Sequence, residues 1–174
     1  GDKDHIVIVE LKQWEKVEKV EGKEAIVKTM LGGAIRETTH PSYQAWSYAA
    51  LIEDYNENAQ ESNMAMHPCA YLHNYIRLNE QDPITDDYYN YYLEQAPVFL
   101  KGDAAKLRDF IKRYIKYGDD KENLYKIENG RIRPSKSLQD SLVSMLKGNQ
   151  EFIMIDDQKV VYETAKTLAN QALR

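Results

Sequence analysis

The run His5-Ile6-Val7-Ile8-Val9-Glu10-Leu11-Lys12 constrains this chain more than any other stretch of it. Its β-branched side chains are stiff and suit a pleated backbone. Apolar residues occupy both parities from Ile6 to Val9, as in a central strand covered on both faces, which needs neighbouring strands and helical layers. Side chains alternate along a strand, so Ile6, Ile8, Glu10 and Lys12 share one face while Val7, Val9 and Leu11 share the other. Two charges therefore continue a line of isoleucines. Burying a carboxylate and an ammonium costs several kcal/mol each unless they are paired or otherwise served.

The rest of the chain supplies candidate partners for that strand. Glu24 to Thr29 and Ala34 to Thr39, joined around Leu31-Gly32-Gly33, read as a hairpin. Pro41 can open a helix from Ser42 to about Tyr55, with Ala45, Tyr48, Ala49 and Ile52 at helical spacing. Met66 to Tyr75 reads as a strand with Cys69, Tyr71 and His73 on one face, Asp86 to Gln95 as a tyrosine-rich helix, and Pro97 to Leu100 as a short strand. Asp103 is placed to cap an amphipathic helix through Tyr117, with Leu107, Phe110, Ile111 and Tyr114 as its apolar stripe and Gly118 as its stop. A polar connection follows. Ser135 is placed to cap a helix through Leu146, residues 152–155 read as a strand or a linker, and Gln158 to Leu173 as a helix. The fold class expected is α/β, a mixed sheet flanked by helices.

Composition sets outer limits. A chain of 174 residues with 43% hydrophobic and 29% charged residues can bury a core without disulfides or structural metals. The single cysteine, Cys69, excludes an intrachain disulfide and a cysteine zinc cage, and fits a cytoplasmic setting. No apolar run approaches the ~20 residues of a membrane helix, and no signal-peptide pattern opens the chain, so neither secretion nor membrane insertion is expected. The net charge of -5 gives no global pull toward nucleic acid, so any such contact must be local. Thirteen tyrosines could stack on bases or fill half-buried surfaces.

The chemistry implied by Glu10 and Lys12 is metal-assisted hydrolysis. A divalent ion on Glu10 would activate water and neutralise phosphoryl charge, Lys12 could orient the water or stabilise the developing anion, and the backbone carbonyl of Leu11 lies between them as a further ligand. An ordinary ion pair at a strand end explains the same two residues. Spacing alone does not choose, because Glu21-Gly22-Lys23 repeats it. That copy follows no apolar strand and reads as solvated surface. Gln44 and Tyr48, four apart in a helix, project an amide and a phenol from one face, able to serve the same polar site.

A strand ending Glu-x-Lys, a hairpin and then a helix bearing Gln-x-x-x-Tyr resembles the PD-(D/E)XK nuclease superfamily in its RecB-like branch. The stretches Ile8 to Trp14, His40 to Tyr48, Ala70 to Tyr75, Ala96 to Phe99 and Arg133 to Lys136 further resemble the nuclease-type region ahead of the motor in schlafen-type DNA/RNA helicase proteins. The resemblance implies a nuclease-like core over residues 1–150, with 151–174 connecting to a helicase domain of the same polypeptide. It implies catalytic roles for Glu10, Lys12, Gln44 and Tyr48, Mg²⁺ or Mn²⁺ at Glu10 and the Leu11 carbonyl, and DNA or RNA as substrate. ATP would belong to the helicase part, and Gln158, in a segment resembling one just upstream of that motor, would be a nucleotide contact.

Two departures qualify what the resemblance implies. The superfamily aspartate lies on a preceding strand, expected before Gly1, whereas Asp2 and Asp4 fall in the turn leading into His5. No Gly-x-x-x-x-Gly-Lys-Ser/Thr loop occurs. A catalytically inactive module that binds nucleic acid or packs on the motor fits the same pattern.

The remaining candidates are local. Arg131, Arg133 and Lys136 gather at an expected helix start, where they could grip a nucleic-acid phosphate or form a solvated basic patch. Among His5, His40, His67 and His73 no two are spaced to bind zinc from one helix face. His40 could approach the Gln44 helix's site or simply cap it. Trp14 and Trp46 read as packing residues.

Overall fold

The structure is a computed structural model that describes residues 4–79, 81–133 and 156–172. The chain forms β1 (His5–Lys12), β2 (Val17–Lys19), β3 (Ile26–Leu31), β4 (Ala34–Thr39), α1 (Pro41–Tyr55), α2 (Glu57–Glu61), β5 (Ala65–Leu72), α3 (Asn90–Gln95), β6 (Val98–Leu100), α4 (Ala104–Tyr114), α5 (Glu122–Glu128) and α6 (Asp156–Ala172).

Instead of one mixed sheet, the described strands form two. β1, β5 and β6 make a parallel sheet in the order β1-β5-β6, and β2, β3 and β4 an antiparallel one. The break follows β1, where Trp14 turns into the core formed by Val17 and Val27 of the antiparallel sheet and Ala70, Leu72 and Leu100 of the parallel one. β5, rather than β1, is the central strand of its sheet. Met66, Pro68, Cys69, Ala70 and Leu72 of β5 are buried, whereas β1 pairs on one edge among the described residues and leaves Leu11 64% exposed.

Helices cover both faces of the parallel sheet, which is what its connections require. Ile6 and Ile8 of β1 and Met66 of β5 pack with Ala49 and Ile52 of α1. On the opposite face Phe99 meets Phe110 of α4, and His67 meets Tyr114. The face carrying Glu10 and Lys12 is therefore the one turned toward α1.

Local chemistry explains most boundaries. Gly32 and Gly33, at φ 59° and 81°, close a two-residue turn in which Leu31 pairs with Ala34, the backbone that favours glycine at both positions. That turn sets the hairpin register, so β3 runs two residues later than expected and starts after Ala25, itself at φ 58°. β2 lies in a charged stretch without strand-like alternation and was not expected. Nor were α2, capped by Asn56, and α5, within the expected polar connection.

Other expected elements shift. β5 stops at Leu72 rather than Tyr75. The stretch expected as one helix from Asp86 begins as a 3-10 turn, Asp87–Tyr89, capped by the Asp86 carboxylate, and a further 3-10 turn, Pro83–Thr85, capped by the Asp82 carboxylate, precedes it. α4 ends at Tyr114, before Tyr117 and Gly118, and Asp103 does not cap it. Its carboxylate instead accepts from the Leu100 N–H at 3.0 Å and pairs with Lys106 at 2.7 Å. The expected helix from Ser135 and the segment 152–155 lie outside the described residues.

Tyrosines serve mainly as core residues with a polar tip. Tyr75, Tyr89 and Tyr92 are buried, and their hydroxyls donate to Asp82, the Ile26 carbonyl and Glu24. Trp14 is buried, and Trp46 packs among Tyr43, Tyr91 and Tyr92. α6 packs against β4, where Lys23 donates to Thr164 at 3.2 Å and Lys159 pairs with the buried Glu163 at 3.2 Å.

Candidate functional site

Regular alternation along β1 brings Glu10 and Lys12 onto one face, where they form an ion pair of 2.8 Å with each side chain 17% exposed. The Lys12 ammonium also stands 5.2 Å from the Trp14 ring centroid. Leu11 points to the other face, and its backbone joins the two. The pair is half-buried, hence less screened by salt than a surface pair.

Helix α1 holds the second pair. Pro41 opens it with φ already set and no amide hydrogen to lose, and His40 caps it by accepting from the Ser42 N–H at 3.2 Å through Nδ1. The other ring nitrogen, Nε2, donates to the Ile84 carbonyl at 3.0 Å, which fixes the neutral tautomer. His40 is fully buried and stacked on Tyr89, and burial pushes its pKa down to about 4. It is a structural cap, as one of the two sequence readings had it.

One turn further along α1, the Gln44 amide nitrogen donates to the Tyr48 hydroxyl at 2.9 Å. Gln44 Oε1 is buried without a hydrogen-bond partner, as is Ser42 Oγ. Buried polar atoms are ordinarily satisfied, so Gln44 Oε1 marks a place suited to water, a cation or a ligand donor, whereas Ser42, two residues away, lies on another side of the helix. The Gln-x-x-x-Tyr spacing was visible in the sequence, whereas Ser42 carried no signal beyond its place after a helix-opening proline.

The structure thus brings Glu10 to Lys12 and Gln44 to Tyr48. The basic candidates stand apart. Arg131 is exposed and its carbonyl accepts from the Glu57 N–H at 3.0 Å. The Arg133 guanidinium is held by Glu57 and by Glu61, the latter at 2.9 Å, so a phosphate there would compete with two carboxylates. Lys136 lies outside the described residues. Gln158 is exposed in the first turn of α6.

Mg²⁺ favours oxygen donors and retains several waters. Oxygens of suitable chemistry are the Glu10 carboxylate and Leu11 carbonyl on β1 and Gln44 Oε1 on α1, with one acidic member among them. Among the described residues no three His, Cys, Asp or Glu side chains gather as a metal-holding group. The Cys69 thiol is buried and pushed up to about 12, which removes it as a nucleophile.

The Glu21-Gly22-Lys23 copy is not simply solvated surface. Glu21 is 83% exposed and pairs with Lys19 at 3.3 Å, but Lys23 is largely buried and pairs with Glu37 at 2.6 Å. No helix among the described residues is long and apolar enough to cross a membrane. Compared with family models, curated proteins and solved structures, the chain gives no match.

Proposed function

We propose that this chain is a nuclease-type module that cleaves DNA or RNA phosphodiesters with Mg²⁺ or Mn²⁺, within a larger polypeptide that carries a helicase. The observation that carries the reading is the half-buried Glu10–Lys12 pair on the α1-facing side of β1. Helix α1 leads through α2 to Ala65, whose N–H donates to the Asp4 carbonyl beside the start of β1, so α1 and β1 run in opposite directions.

Ile8 and Ile52 both pack against the cluster of Ala49, Met64 and Met66, and the advances along strand and helix are counted from them. Glu10 and Lys12 lie roughly 7 and 13 Å beyond Ile8 along the strand. Tyr48 and Gln44 lie roughly 6 and 12 Å before Ile52 along the helix. The matched advance supports one site served by all four residues.

When bound, the metal ion supplies Lewis acidity and a water acidified toward hydroxide. Glu10, the Leu11 carbonyl and Gln44 Oε1 are the groups that would hold it. Lys12 offers its ammonium to the phosphoryl oxygens, on which negative charge grows as the phosphodiester breaks. Tyr48 orients the Gln44 amide through the hydrogen bond on its hydroxyl. The test is cleavage of single- and double-stranded DNA and RNA by the full-length polypeptide with Mg²⁺ or Mn²⁺, beside Glu10→Ala and Lys12→Ala. Loss in both variants supports the reading, and equal cleavage by all three removes it.

A second reading rests on the 2.8 Å contact itself, in which Glu10 and Lys12 neutralise each other. The module would then bind nucleic acid or pack on the motor without chemistry. Gel-shift binding unaffected by both substitutions, with no cleavage under any metal, favours it.

A further inference from the structure

Helix α6 packs with its polarity reversed. Val161, Ala165, Leu168 and Ala172 recur at the i, i+4, i+7, i+11 spacing of one helix face, a stripe that ordinarily turns toward a core. All four are exposed, Val161 by 67% and Leu168 by 60%. The α6 residues buried instead, among those described, are Lys159 and Glu163.

The fastenings of that charged face are polar. Lys159 pairs with Glu163 at 3.2 Å on its own helix and with Glu24 at 3.7 Å across the interface, and its ammonium lies 5.6 Å from the centre of the Tyr43 ring of α1. Lys166 stands 3.7 Å from Glu163, and Lys23 donates to Thr164 at 3.2 Å while holding Glu37 of β4 at 2.6 Å. Three ammoniums and three carboxylates thus meet in one seam. Neither oxygen of Glu163 has a hydrogen-bond partner among the described residues, so this buried carboxylate is held by charge rather than by directed bonds. Burying such pairs costs desolvation, which their attraction offsets only where further hydrogen bonds serve both groups. A seam of this kind holds weakly and loosens as salt screens it, whereas an apolar seam does not.

We propose that α6 is a releasable strap, docked over β4 and the start of α1 by its charged face and able to open as a unit while β1 to α5 stays folded. Opening uncovers Tyr43, the residue before Gln44, and so reaches the start of α1. The strap rests on this packing alone and is independent of any chemistry at Glu10.

Amide hydrogen exchange of the full chain, read by mass spectrometry on peptides from 156–172 and from strands β1 and β5, tests the strap. Residues 156–172 should exchange at least about tenfold faster than the strands, and their opening should rise about threefold or more between about 0.05 and 1 M NaCl. Glu163→Gln, which leaves Lys159 buried beside a neutral amide, should speed exchange in 156–172 at least about tenfold further and leave the strands unchanged. Lys159→Met combined with Glu163→Leu, which replaces the buried pair by apolar side chains, should slow that exchange again and reduce its salt dependence. Val161→Gln combined with Leu168→Gln, on the outward stripe, should have no effect. Exchange of 156–172 in step with the strands, opening that does not rise with salt, unchanged exchange in Glu163→Gln, or release by the paired Val161 and Leu168 substitutions would each overturn the strap.

Discussion

The chain contains Glu-x-Lys twice, and the two copies end in different surroundings. In Glu10-Leu11-Lys12 the middle residue is extended strand, so both charges emerge on one face and pair at 2.8 Å. In Glu21-Gly22-Lys23 the middle glycine has φ 73°, the alternation is broken, and the two charges find separate partners. Glu21 pairs outward with Lys19, while Lys23 turns inward to Glu37 and to Thr164 on α6. The lesson is that spacing does not make a site. The conformation of the intervening residue decides whether two charges converge on one ligand or fasten two different elements.

If the chain acts as the nuclease proposed above, the largest expected difference between the copies is in cleavage. Glu10→Ala and Lys12→Ala should each lower Mg²⁺-dependent cleavage by the full-length polypeptide by about 10²–10³-fold, and Glu21→Ala should leave it unchanged. Single-turnover cleavage rates measure this. A drop as large for Glu21→Ala would erase the distinction.

Next comes the helix that faces the first copy. An unfolded His40 takes up a proton near pH 6.5, the folded one only near about 4, so between those values the unfolded state binds more protons. The contribution of His40 is therefore fully present above pH 6.5, falls as pH drops, and is lost by about pH 4. Its size is about 3 kcal/mol, measurable as the urea midpoint against pH. His40→Asn, which keeps a capping acceptor, should flatten that slope in this window.

Smaller effects concern the second copy. Lys23→Ala removes charged hydrogen bonds to Glu37 and Thr164 and should destabilise by about 2 kcal/mol in chemical denaturation. Gly22→Ala, forced into a left-handed backbone, should cost about 1 kcal/mol. Glu21→Ala, at an exposed ion pair, should change stability by less than about 0.5 kcal/mol. The reverse order would mean that the turn is not what directs Lys23 inward.

Legibility in the sequence followed the range of the forces involved. Helix α1 was readable because Pro41 and the 3.6-residue pattern act locally, and Gln44 with Tyr48 because four residues are one turn. The Gly32-Gly33 turn was readable for the same reason, although its register displaced β3 by two residues. The division into two sheets was not readable, since it depends on Trp14 packing between strands distant in sequence. Nor was the His5–His67 pair, which parallel pairing brings together across 62 residues. Lys23 misled because its partner on α6 is remote, so a locally charged stretch concealed a buried ammonium.

The account depends on Glu10 of β1 and Gln44 of α1 serving one cation, and Mn²⁺ tests this directly through its broadening of nearby proton resonances. Trace Mn²⁺ added to the folded protein should broaden the side-chain amide protons of Gln44 and the backbone amide of Lys12 before those of Gln60 and Asn90, and Glu10→Ala should restore them. A Gln44 amide that stays sharp while Lys12 broadens, or broadening that persists in Glu10→Ala, would contradict the shared site.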